Sequence, residues 1–446
     1  MKLNKYTTAL IAAGLVAVSS AAQANTVIFL AGASALRSTI AAAISAGKIF
    51  DSGGTIVTYS SNSGGAGGAQ YVVYRGVIGG VTYDIDAFWT GAEAAVADVA
   101  GNSISQTLNG SSGLSGGSGT YAVPGIPASF LDPATSYATT NTFASINSGY
   151  KTESTVDLAL DDTSQAVSLT SHTTYPLVDY GALAVVPFSF LKGYEKTPDT
   201  VWNHVSNVTT AEINQLYKAP HPASFITGVS TDSVDYVYIT GRNLSSGTRV
   251  NALLTAQYGV TTTVDQYAYD VNYNKAGNLA QNSPANYANT GTLYEIGNDG
   301  FNASGTAALQ LNYDGTGTGN ILVEPLAVPD AAGAAVTAVP SGGVAGAASY
   351  LTYNGVWESD ANVENGSYTF WGYEHIFGTV GQSNTSAAGK VAAALVSGIG
   401  SYLTSISAGT STGAVGPTYT AQSPLIPVSL LQVTRAGDGG FPAPKN

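Results

Sequence analysis

Short apolar runs closed by glycine and followed by alanine-rich sequence of helical spacing recur along this chain. Near the start, "TVIFLAGASALRSTIAAAISAG" (26–47) sets the run Val27–Leu30 ahead of Gly32 and then an alanine-rich stretch. That order predicts a strand, a small-residue turn and a helix, the repeating unit of α/β folds. The runs "QYVVYRG" and "VTYDIDAFW", joined through "VIGG", read as a hairpin, and "TGAEAAVADVAG" as a second turn and helix. "VDYVYITGRNLSSGTRVNALLTAQYG" (234–259) repeats the strand, glycine-bearing turn and helix once more.

Other segments fill in around these units. "STVDLALDD" (154–162) predicts a strand, and "YPLVDYGALAVVPFSFLKGY" (175–194) a buried strand ending at Pro187. "NVTTAEINQLYKA" (207–219) reads as a short amphipathic helix with Ile213, Leu216 and Tyr217 on one face and Thr210 as its cap. "GSYTFWGYEHIFG" (366–378) is another strand-like run. The stretch 387–403 is interrupted by lysine, serine and glycine, and suits a packed helix better than a membrane span. Residues 101–150 carry no Lys or Arg and show no sustained period. They read equally well as a long surface insertion or as an irregular β-rich excursion. Residues 260–345, rich in Tyr, Asn, Gly and Ala, predict no clear element.

Composition narrows the class. The chain has 446 residues, 44% hydrophobic, with 27 Tyr, 12 Phe and 4 Trp that need a core to pack in. Residues 1–24 resemble a cleavable export signal: Lys2 and Lys5, the apolar stretch "ALIAAGLVAV", then Ala22-Gln23-Ala24. Absence of cysteine excludes disulfides and an acylated anchor, so the expected location is periplasmic or secreted. With 15 basic against 28 acidic residues, nucleic acid is not an expected partner.

Chemistry concentrates at "GRNLSSGTR" (241–249), which holds two of only five arginines. A strand feeding this turn and then a helix would aim unpaired amide groups at one point, a setting that suits an anion. Ser246, Gly247 and Thr248 are small enough to let an oxyanion reach the backbone, and Arg242 would add a guanidinium from the strand end. The plainer alternative is a capped turn with solvent-facing arginines. Enzyme readings find little support. His172, His204, His221 and His375 lie far apart, and no Gly-x-Ser-x-Gly turn or nucleophilic cysteine exists. "NYDGTGTGN" (312–320) lacks the carboxylate run of a calcium loop and reads as a turn. No metal or cofactor is expected.

"GRNLSSGTR" resembles the Arg-x-x-x-Ser-Gly-Thr element of the phosphate-binding component of bacterial phosphate ABC importers. "FLAGASALR", "VDLALDD", "YGALAVVPFSFLKG", "NVTTAEINQLYKA" and "SYTFWGYEHIFG" resemble further blocks of that family in the same order. The resemblance implies an α/β, two-lobed type II periplasmic binding protein-like fold, here with long Gly/Ser/Tyr-rich insertions. One lobe would span roughly 25–179 plus 366–446 and the other roughly 180–365, with the ligand in the cleft between them. It implies contacts from Ser34 and Ala35 in the first turn, and from Arg242, Ser246, Gly247 and Thr248. Asp162 would accept from a protonated ligand oxygen, although a strand-end aspartate capping the next helix explains that residue as well. The family's second serine-rich loop has two competing counterparts. "SNSGGAGG" (61–68) matches by composition, while "WTGAEAAVADV" (89–99) matches by position and offers Thr90 and Gly91. In that second register Glu93 would repel an anion unless turned away. Phosphate or a related oxyanion is the implied ligand and an ABC permease the implied partner. The rival reading is an extracellular or cell-surface structural protein on the same fold, with self-assembly in place of transport.

Overall fold

The computed structural model describes residues 26–59, 71–101 except 90, strand segments within 107–124, and 151–269. It further describes 293–331 except 299, 302, 303 and 329, then 347–407 and 425–445. The export signal and the 61–68 segment lie outside the described residues, as does most of 101–150.

The first apolar run forms β1 (Thr26–Gly32), whose Leu30 and Ala31 are both fully buried. Burial of consecutive residues means both faces are covered, as expected of an interior parallel strand. β1 leads through a one-turn 3-10 helix (Ser34–Leu36) into α1 (Arg37–Ser45). β2 (Thr55–Tyr59) follows, then the hairpin β3 (Tyr71–Ile78) and β4 (Val81–Phe88), turned at Gly79-Gly80 with both φ angles positive. That turn needs glycine, and the sequence supplies it. α2 (Ala92–Ala100) comes next, then β5 (Leu158–Asp161). Parts of the intervening stretch pair as short antiparallel ladders, Thr107–Leu108 with Ser111–Ser112 and Thr120–Pro124 with Lys151–Thr155.

β6 (Leu177–Lys192) is the longest strand and runs through Pro187 instead of stopping there. Residues 177–187 pair antiparallel with β9 (Trp371–Thr379), and 188–192 pair antiparallel with β8 (Asn320–Ala327). Pro187 sits where one partner strand gives way to the next, so its missing N–H breaks no continuous ladder. α3 (Thr210–Leu216) has Thr209 at its N-cap, not Thr210, with a reciprocal capping box to Glu212. β7 (Tyr236–Ile239) leads into α4 (Gly247–Thr255), α5 (Ser304–Leu311) precedes β8, and α6 (Ala387–Ser407) follows β9.

The strands join in one mixed sheet, in the order β7-β8-β6-β9-β5-β1-β4-β3-β2, with His221–Pro222 at the β7 edge. β1 is parallel to β4 and β5, and β7 is parallel to β8, while β6 and β9 run antiparallel to their neighbours. The protein is therefore α/β, with β6 carrying the chain from one half of the sheet to the other. Phe188, Phe190 and Phe370 stack at 4.7–5.2 Å around that handover and anchor the main core. Strand β8 and helix α5 occupy part of the region for which the sequence predicted no element. Among the described residues, no helix is long and apolar enough to cross a membrane.

Candidate functional site

Every described parallel strand on the two sides of β6 and β9 ends near one point, and the turns that follow meet there. The turn after β7 is held by its own side chains. Asn243 Oδ1 accepts from Ser245 N at 3.2 Å and from Ser245 Oγ at 2.6 Å, and Ser246 Oγ caps α4 by accepting from Arg249 N. The amides of Gly247 and Thr248 belong to the first turn of α4, where no carbonyl of the helix can reach them. Gly247 is sterically required: a Cβ there would stand 2.8 Å from Asp162 Cβ. The close approach lets the α4 terminus rest on Asp162, and Asn251 Nδ2 fixes it by donating to the Asp162 and Gly247 carbonyls at 2.9 and 3.1 Å.

The two arginines of this turn have different duties. Arg242 Nε donates to Phe301 O at 2.9 Å and Nη1 to Ser304 Oγ, which aims the guanidinium at the cavity. Arg249 is buried and braces main chain, donating to the carbonyls of Arg242 and Asn298 at 3.0 and 3.2 Å. From the other half, Ala33 N bonds to Leu160 O and sets the turn carrying Ser34 and Ala35. Gly91 precedes α2 with φ 102°, and a Cβ on it would lie 2.6 Å from Ser245 O. Glu93 N then donates to Ser245 O at 3.1 Å, a direct main-chain bond across the cleft.

These turns enclose a cavity lined by Ser34, Ala35, Gly91, Asp162, Arg242 and Ser246–Thr248, completed by Ser304 and Asp330. Its free space is about 20 Å³ for the centres of water-sized atoms, room for one or two waters. The starts of the 3-10 turn before α1, of α2, of α4 and of α5 all face this space, so partial positive charge converges there alongside one guanidinium. Opposing it are two carboxyls in the wall, Asp162 and Asp330, and a third behind, Glu324, all of which act on Arg242. Burial lowers the Arg242 pKa and raises those of Asp162 and Asp330; contact with Glu374 and the charge of Arg242 hold Asp162 partly down.

Of the residues singled out in the sequence, Ser34, Ala35, Gly91, Asp162, Arg242, Ser246, Gly247 and Thr248 come together in one wall. Thr90 lies outside the described residues. Glu93 is turned away: its Oε2 accepts from Ser168 Oγ at 2.6 Å and Leu169 N at 2.9 Å, and burial pushes its pKa up to about 7. Ser304, Ala327 and Asp330 were missed. The sequence signal for Ser304 was available, because "SGT" at 304–306 repeats the Ser-Gly-Thr of 246–248 at a helix start.

No protein-family model matches the chain, and no curated protein does. Several solved structures are similar to this chain at low TM-score. One, from Clostridium perfringens, was solved with bound phosphate and is assigned to phosphate ABC transporter substrate-binding proteins. It shares 11% identity over 90% of this chain and 100% of its own, with a TM-score of 0.38. An ABC-type phosphate transport receptor from Vibrio cholerae shares 9% identity over 80% of this chain and 88% of its own, with a TM-score of 0.35. PstS from Borrelia burgdorferi shares 8% identity over 80% and 88%, with a TM-score of 0.30.

Proposed function

We propose that this protein is an exported solute-binding protein that captures phosphate or a related tetrahedral oxyanion in the cleft. The observation that carries this reading is the convergence of Arg242 and several helix starts on one small cavity built from both halves of the sheet. In this reading the halves form two lobes, roughly 25–179 plus 366–446 and 180–365, that close on the ion by bending about β6 and β9. Ser34, Ser246 and Thr248 donate hydroxyl protons. The amides of Ala35, Gly247 and Thr248 contribute N–H groups, with Thr90 as a further proposed donor, and Arg242 supplies the full positive charge. The Gly91 amide already donates to Gly32 O at 3.3 Å, so Gly91 serves by its close approach. Asp162 takes the acceptor role and so favours an ion that brings a proton over sulfate, which at neutral pH brings none.

The energetics suffice. Micromolar capture needs about 8 kcal/mol, and charge-assisted hydrogen bonds contribute roughly 1.5–3 kcal/mol each before ordering costs. An ABC permease as the acceptor of the loaded protein follows from the sequence resemblance.

Thermal unfolding with added phosphate tests the reading. The melting temperature should climb with the logarithm of phosphate concentration above saturation, and Arg242→Ala should abolish the rise. A flat response to phosphate, arsenate and sulfate alike would remove oxyanion capture from consideration.

A further inference from the structure

Glu374, on β9, has no solvent exposure, and no permanent donor among the described residues reaches either of its oxygens. Asp162 faces it at hydrogen-bond contact, with Asp161 next to it. Asp162 also lines the cavity, under the influence of Arg242. Around this pair, α2 contributes Glu93 beyond Asp161. α4 contributes only the neutral Asn251, β6 pairs Ala184 opposite Glu374, and the adjoining His375 is taken by Asp179 at 3.0 Å. Among the described residues, Arg242 is the cation that acts on the pair. Two carboxyls in contact, in surroundings this dry, cannot both be ionised and must hold a proton between them.

We propose that Glu374 is a positioning residue: it carries the shared proton, donates it to Asp162, and thereby keeps Asp162 an acceptor toward the cavity. This rests on the reading of the cavity as an oxyanion site. The burial that raises both acids places the proton on the deeper one, Glu374, while Arg242 favours the charged form of Asp162. Asp162 then presents a carboxylate matched to a ligand hydroxyl, while burial and the charge of Asp162 raise the pKa of Asp330, the other carboxyl of the wall, and favour its neutral form. When rising pH removes the shared proton, the wall gains a second negative charge and rejects the anion.

Glu374→Gln tests this, because an amide donates to Asp162 at every pH and never ionises. Phosphate affinity of wild type and variant should agree near pH 6. Above the pH at which the pair loses its proton, wild type should fall behind by about tenfold per pH unit. A constant affinity ratio between about pH 6 and 10 overturns the proposal. Glu374→Leu, which fills the site without a donor, should bind more weakly than Glu374→Gln at all pH values; equal binding by the two overturns it as well. If wild type binds neither phosphate nor arsenate, the oxyanion reading fails separately. The shared proton is then decided by melting the ligand-free proteins. A shallower fall in melting temperature with pH for Glu374→Gln supports it, and parallel curves refute it.

Discussion

At the scale of single residues, the wall is set by how closely chains approach. Gly247 is the clearest case, because any side chain there collides with Asp162. Gly247→Ala should therefore cost about 1–3 kcal/mol in a denaturant melt and weaken anion binding. An alanine at an unstrained, uncrowded helix start would stabilise instead. Arg242 and its hydroxyl neighbours were legible in the sequence because the turn between strand and helix carries its chemistry in nine consecutive residues. Glu374 and Asp330 were not. Each is one acid in an unremarkable run; pairing of β9 with β5 and β6 brings Glu374 behind Asp162, and the path of the chain after β8 brings Asp330 to the pocket. Arg249, the other arginine of that run and not a predicted contact, has a side chain that serves main-chain carbonyls, a direction that spacing alone does not encode.

Elements were read well where an apolar run and a turn signal coincide, as in β1, the β3–β4 hairpin and α6. They were misread where a single residue carries two meanings. Pro187 looked like a terminus because proline usually ends a central strand; here it falls at a change of partner. β8 went unseen although residues 321–328 are buried, since Glu324 and Pro325 break its apolar run. α3 was placed correctly but capped one residue late. Thr209→Ala should cost about 1 kcal/mol in chemical denaturation through loss of the capping box. Thr210 meets Tyr353 Oη and Asn354 instead, so Thr210→Val should leave helix initiation intact while loosening the contact with residues 353–354.

For the whole molecule, the large number of buried acids sets the response to pH. Burial pushes Asp86 and Glu358 up to about 8, and Glu93 and Asp98 up to about 7. In the unfolded chain these carboxyls ionise near 4. Between those values the folded protein keeps protons that the unfolded chain has released, so stability is greatest toward pH 4–5 and declines as pH rises to about 8. Melting temperatures measured across that range should fall steadily, by an amount on the order of several kcal/mol in stability. Asp179, whose acidity His375 enhances, acts in the opposite sense only at lower pH. Finally, the Glu93–Ser245 main-chain bond and the Asn251–Asp162 bond tie the two halves of the sheet together beside the cavity. On the oxyanion reading proposed above, entry is gated: an arriving ion waits for these bonds to break, and a seated one waits for the same event before it departs. Stopped-flow traces should therefore reach a plateau rate at high anion concentration, and that plateau reports the frequency with which the empty protein opens.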